Sequence, residues 1–295
     1  TSAYYGLHGK DIFKDYRDKF LLKDYQTSLF LRLFNPINWF LIGSPNFGRS
    51  DLAAEYYDEN LFHGATLGEL LDGKGPAVLI MATDVTDGFI FGFSPAMFSL
   101  ICSDYENFPV ARAVAASAAL PGPFSPITLK NYAGQCQSIE LPEWMTTTLK
   151  KPDLTSRTYY NAVRLNTYIN QQTKPYIYLV DGGVADNLGV RGILESMIAR
   201  GHARDLLKDT GFEKTEKVVF LIIDAQTQES SQWKFLNRIP GLGMILNASS
   251  TIMVNKYNFE TIELLHRYAQ DGTYLDKTKG MVPIDVYIIH VTLDA

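Results

Sequence analysis

Apolar and polar residues follow two rhythms along this chain. The continuous apolar run 77–81 predicts a strand covered on both faces, which has no polar side to show, and the apolar-rich 176–180, 217–224 and 284–291 also predict strands, the one at 217–224 buried. Between them, apolar residues recur every three or four positions, the spacing of one helix face. Ile12, Phe13, Tyr16 and Phe20 share such a face within 11–22. Ser50 stands where the N-cap of a helix over 51–62 belongs. Asp87-Gly88, between Thr86 and Phe89, predicts a hairpin turn. The Ala-rich stretch 108–122 reads as a short helix held between Pro109 and Pro121-Gly122. Helices are also expected over 162–170, 186–200 and 244–269, and the polar, Thr-rich 134–160 reads as an irregular surface excursion. Strands interleaved with helices predict an α/β fold around a largely parallel sheet. No internal repeat or low-complexity linker divides the chain, so a single domain over 1–295 is expected.

Composition narrows the functional classes. The 295 residues are 46% hydrophobic and 20% charged, ample for a large core. A net charge of -5 provides no basic footprint, which argues against nucleic acid as a partner and against a polybasic hold on an anionic membrane. The histidines form no HxxxH and the cysteines no CxxC, so no metal site is expected. Cys102 and Cys136 allow one disulfide, which the sequence leaves undecided. Gly241-Leu242-Gly243 lacks the third glycine and the preceding strand of a dinucleotide fingerprint, so no cofactor is expected. The longest apolar stretch, 28–43, is broken by Arg32, Asn35, Pro36 and Asn38 and is no membrane span. With Phe30, Phe34, Trp39 and Phe40 it has two readings: a core-facing helix and loop, which is favoured, or a contact with a lipid or a bilayer surface.

Three carboxylates follow apolar runs: Asp84, Asp181 and Asp224. Ligands of open α/β sheets bind at such strand ends, although an Asp there also serves simply to accept hydrogen bonds from its own turn. That structural reading is favoured for Asp84 and Asp224. Asp181 has more beside it. Gly182 and Gly183 permit backbone angles closed to other residues and allow close approach of another segment, and Asp186 or Asn187 can cap the helix that carries Val190, Ile193, Leu194, Met197 and Ile198. A strand, a glycine turn and a helix would hold the Asp181 carboxylate rigidly near free backbone N–H groups, where it can take a proton from a nucleophilic hydroxyl. Ser117 is a poor nucleophile candidate. It lies in a small-residue helix, where a serine usually bonds back to the carbonyl one turn earlier. Ser44, before a proline, reads as a turn residue, and no G-x-S-x-G elbow occurs in the chain.

Taken in order, "FPVARAVAASAALPGPFSPI", "YIYLVDGGVADNLGV" and "KVVFLIIDAQ" resemble bacterial patatin-like phospholipases, and the resemblance covers most of the chain. It implies a three-layer α/β/α fold with a central, mostly parallel sheet, and a Ser–Asp dyad that cleaves a lipid or phospholipid ester through an acyl-enzyme. Asp181 corresponds to the general base, on the turn shaped by Gly182 and Gly183. The opening "TSAYYGLHG" is similar to the segment that directly follows the family's serine elbow. The resemblance therefore places the nucleophile and the Gly-rich oxyanion loop upstream of Thr1, and implies a chain incomplete at its N-terminus, with an open question at its C-terminus, and inactive alone. Ser2 has no elbow around it. Gly189 stands where the family often has proline. The resemblance also implies transient membrane-surface contact and a place in the bacterial cell envelope, periplasmic or associated with the outer membrane. The alternative is a non-catalytic lipid-binding or assembly module that keeps the fold without the chemistry.

Overall fold

In the computed structural model, which describes residues 1–42, 44, 47–136, 139, 141–200, 204, 207, 212, 214–224, 241–278 and 284–293, the chain is a mixed α/β protein. Its contacts divide it into two compact units, one of Thr1–Thr155 with Tyr159–Ala185, the other of Ser156–Thr158 with Asp186–Ala295.

The first unit begins with α1 (Ser2–His8) and α2 (Ile12–Tyr16), which a π-helical turn extends to Leu21. Next come α3 (Tyr25–Leu33), α4 (Pro36–Ile42), α5 (Arg49–Tyr57) and α6 (Leu67–Leu71). The strands β1 (Met81–Asp84) and β2 (Phe89–Gly92) follow, then α7 (Pro95–Leu100), α8 (Val110–Ser117), β3 (Ile127–Lys130) and α9 (Glu143–Leu149). Finally α10 (Arg157–Tyr168) leads to β4 (Tyr176–Val180). The sheet order is β2-β1-β4-β3 and every pairing in it is antiparallel.

That corrects the expected mostly parallel sheet. The turn at Asp87-Gly88, with Gly88 at φ 62, returns β2 directly beside β1, and so short a link joins only antiparallel strands. In β4 the side chains alternate, with Ile177 and Leu179 buried and Tyr176 and Tyr178 exposed. One covered face and one wet face mark an antiparallel sheet.

Other expectations shift locally. The helix predicted to start after Ser50 starts at Arg49: the Asp51 carboxylate accepts the Gly48 N–H at 2.8 Å, and Ser50 is buried with its hydroxyl donating to the Ser125 carbonyl. Tyr16 is buried, but Phe13, assigned to the same face, is 84% exposed. Within 134–160 the structure has α9 and the start of α10 instead of an irregular excursion. Cys102 and Cys136 are joined by a disulfide that ties the end of α7 to the segment after β3. The Ala-rich α8 is where it was expected. Ala111, Ala113, Ala115 and Ala116 are all buried, so its backbone lies close to its neighbours, α5 and the sheet.

The chain then makes the short α11 (Gly183–Asp186), α12 (Arg191–Arg200), β5 (Lys217–Asp224), α13 (Leu242–Thr278) and β6 (Asp285–Thr292). The single helix expected over 186–200 is broken at Gly189, whose φ of 67 no proline can adopt. The Asp186 carboxylate accepts the Val190 and Gly192 N–H groups at 3.2 and 3.0 Å and so closes the start of α12, the capping role expected of it. In the second unit β5 and β6 pair in parallel, from Lys217 opposite Asp285 to Asp224 opposite Thr292. Ile222 packs with Val190, Leu194 and Leu265. The other face, with Val219, Leu221, Ile223, Tyr287, Ile289 and Val291, is exposed, so the strand expected to be buried at 217–224 is covered on one side.

Candidate active site

All the groups that shape the Asp181 turn belong to the first unit. β4 runs beside β1, with Val180 opposite Thr83, and the chain leaves the sheet at Asp181. Four contacts fix the bend. The Asp181 N–H donates to the Ala119 carbonyl at 3.0 Å, and the Gly182 N–H to the Ser117 carbonyl at 3.2 Å. The Thr83 hydroxyl donates to the Asp181 carbonyl at 2.8 Å and accepts the Ala185 N–H at 3.1 Å. The C-terminal end of α8 and the side chain of β1 thus hold the turn from two sides.

Gly182 is required by proximity. A β-carbon on it would lie 2.5 Å from the Met81 carbonyl oxygen and 3.6 Å from the Ser117 hydroxyl oxygen. Neither Gly182 nor Gly183 has a positive φ, so left-handed freedom is not what selects glycine here. Gly183 opens α11 and donates its N–H to the Asp181 carboxylate at 2.8 Å.

Asp181 itself is half-buried, and among the described residues no lysine or arginine pairs with it. Burial pushes its carboxyl up from the ordinary value, and the Gly183 N–H opposes that shift. A carboxylate in this state is poised as a base: partly stripped of water, fixed by one backbone donor, and unneutralised.

Asp84 is the opposite case. It is fully buried, 2.5 Å from the Lys174 ammonium, and it accepts from the Tyr168 hydroxyl at 2.8 Å and from Thr86 through both hydroxyl and N–H. Lys174 also reaches Asp87 at 2.6 Å. Burial, and then the Asp84 charge, hold the Tyr168 hydroxyl well above its usual range. Asp224 lies in the second unit, buried at the end of β5 with His290 at 3.5 Å.

Ser117 departs from expectation. Among the described residues its hydroxyl makes no hydrogen bond back to the Ala113 carbonyl, and its backbone carbonyl receives the Gly182 N–H of the Asp181 turn. Thr83 and Lys174 are the residues that sequence reading passed over, and for Ser117 it missed the role of the backbone carbonyl. Thr83 and Lys174 had one signal each, a hydroxyl and a cation beside segments already marked by Asp84 and by the strand 176–180. Among the described residues no group of His, Cys, Asp and Glu is arranged to hold a metal ion. No family model, curated protein or solved structure matches the chain.

Proposed function

We propose that Asp181 is the general base of a patatin-type serine lipid acyl hydrolase, its serine supplied by polypeptide upstream of Thr1. The observation that carries this reading is the docking of the Ala-rich α8 onto the DGG turn, through Ala119 and Ser117, around a carboxylate that no cation among the described residues pairs with. These are two of the segments on which the patatin resemblance rests, and residues 62 and 65 positions apart in sequence meet here at one place.

In the proposed reaction the serine hydroxyl gives its proton to Asp181 as its oxygen attacks the ester carbonyl carbon. The tetrahedral oxyanion collapses and expels the alcohol, which takes the proton from Asp181. Asp181 then removes a proton from water, which attacks the acyl-enzyme; the serine oxygen leaves with that proton from Asp181 and the acyl group departs as the free acid. The raised Asp181 pKa suits this role, because it narrows the gap to the hydroxyl it must deprotonate.

The test is labelling of the full-length protein, with its upstream polypeptide, by a fluorophosphonate serine probe. We expect covalent labelling that Asp181→Asn slows by at least about 100-fold. A folded full-length protein that is never labelled would instead be the non-catalytic lipid-binding module. Labelling that is unchanged by Asp181→Asn, or that maps to Ser117, would remove Asp181 and the upstream serine from the mechanism.

A further inference from the structure

The sheet of the first unit ends on β3, and the outer edge of that strand carries unused hydrogen-bonding groups. The Asn131 N–H, just past β3, donates to the Pro175 carbonyl at 3.0 Å. Backbone groups along an antiparallel strand alternate between its two sides, so Ile127 and Leu129 also bond towards β4, while Thr128 and Lys130 point away from it. The bonds that bound the open edge agree with this alternation. At one end the Thr128 carbonyl accepts from the Arg112 guanidinium at 3.1 Å, and at the other the Tyr132 N–H donates to the Ile101 carbonyl at 3.0 Å. Between them the Thr128 N–H, the Lys130 N–H and the Lys130 carbonyl meet no partner among the described residues.

This stretch borders a cavity of about 300 Å³ whose walls include Phe98, Phe108, Arg112, Leu129, Lys130 and Tyr132. A second cavity, of about 640 Å³, adjoins it through Phe108, Arg112 and Tyr132. Phe98, Phe108 and Leu129 belong to the hydrophobic core, so the covered side of the slot is apolar. On the wet face Lys130 lies opposite Tyr176 and is exposed, with its ammonium 5.2 Å from the centre of the Tyr132 ring. No carboxylate among the described residues pairs with it. We infer that this edge is a peptide-binding slot, in which an extended segment of another protein, alternating acidic and apolar residues, joins the sheet beside β3.

Each feature selects one property of the partner. Unpaired N–H and C=O groups at strand spacing are satisfied by the backbone of an extended peptide. Side chains alternate across a strand, so every second residue of that peptide enters the cavity beside Phe98 and Phe108, and the residues between stand beside Lys130. The ammonium favours carboxylates at those positions. Arg112 already has Asp51 at 3.3 Å, which leaves Lys130 as the cation that chooses. Asp104 borders only the larger cavity, where Asn107 occupies its carboxylate. A second copy is a poorer occupant: edge against edge, it would crowd two Lys130 ammoniums and two Arg112 guanidiniums onto one short strand pair.

The slot does not involve Asp181, so its test is independent of the dyad. The probe is a fluorescein-labelled hexapeptide of alternating Val and Glu, blocked at both ends, titrated into the full chain and followed by anisotropy. Binding should saturate, weaken as salt rises, and slow hydrogen exchange at the Thr128 and Lys130 N–H groups. Lys130→Glu, at an exposed position, should keep the circular dichroism and thermal midpoint and raise Kd at least about 10-fold. N-methylation separates strand addition from attraction of charge alone. Alternate N–H groups of an extended peptide face β3, so methylating all the Val nitrogens or all the Glu nitrogens should abolish binding in one case and spare it in the other. No saturation by about 1 mM peptide would overturn the inference. So would unchanged affinity in Lys130→Glu, equal binding of a Val–Lys hexapeptide, equal binding of the two methylated peptides, or a dimer in sedimentation whose Thr128 and Lys130 N–H groups are already protected without peptide.

Discussion

Asp84 ends β1 and Asp181 directly follows the neighbouring β4, and Asp84 pairs in register with Leu179, two residues before Asp181. Both follow apolar runs and both are removed from water, yet the structure treats them oppositely. Around Asp84 it gathers a lysine, a tyrosine hydroxyl and two donors from Thr86. Around Asp181 it places one backbone N–H and no cation among the described residues. Burial with full compensation makes a structural carboxylate, whereas burial with partial compensation makes a reactive one. Sequence position at a strand end does not separate the two; the partners brought from elsewhere in the chain do.

The largest effect should come from the compensated carboxylate. Asp84→Asn leaves the Lys174 ammonium, itself 8% exposed, with Asp87 as its remaining carboxylate. Removing one member of a buried pair costs about 3 kcal/mol, readable as a lower urea midpoint at constant slope. Adding Lys174→Met removes the stranded charge and should restore much of that loss. If Asp84→Asn alone is neutral, Asp84 is not held as an ion pair and the contrast with Asp181 disappears.

A smaller loss is expected at Gly182. Alanine there puts its β-carbon 2.5 Å from the Met81 carbonyl oxygen, a backbone atom that moves only with β1. Overpacking of this kind costs about 1–3 kcal/mol. Because the strain falls on the turn itself, Gly182→Ala should also slow serine-probe labelling of the full-length protein. Unchanged stability would mean that the turn does not press against β1 as closely as the contrast requires.

What could be read in advance follows the same division. Asp181, Gly182, Gly183 and Asp186 were legible because strand, turn and cap are local, encoded within a dozen residues. The roles of Thr83, Ser117 and Lys174 were not, because each acts on a partner in a distant segment: Thr83 on Asp181 and Ala185, Lys174 on Asp84 and Asp87. Strand direction was misread for a related reason. Apolar sequence located β4, β5 and β6, whereas the run 77–81 meets β1 only at Met81; direction depends on the connections, and here the Asp87-Gly88 turn and the alternating faces of β4 outweigh the interleaved helices. Along 28–43, helical spacing defined a face without saying which way it points. The anchors that decide it, Tyr56, Tyr57 and Glu59, hold Tyr25 and Arg32 inward while Leu31, Phe34 and Trp39 stay exposed, and they lie on α5 and the helical turn that follows it. α9 escaped notice because its Thr-rich sequence buries only Met145.

The smallest effect on stability should come from Asp181→Asn, and its sign is the most informative feature. Burial raises the folded-state pKa of Asp181 above that of the unfolded chain, so the folded protein holds this proton more tightly. Stability from this group is then greatest below the ordinary carboxylate value and declines as pH rises through the interval up to the folded pKa, where the buried charge forms. Asparagine never acquires that charge. At pH 7 the variant should therefore melt at the same temperature as the native chain or slightly above it, and the two should converge near pH 3, where Asp181 is neutral in both states. A carboxylate kept for structure would behave as Asp84 is expected to, with its loss lowering the melting temperature at neutral pH. A stability gain on removing Asp181, beside a large loss of serine labelling, would mark a residue held in place at a cost to the fold, whose reason for being there is chemical.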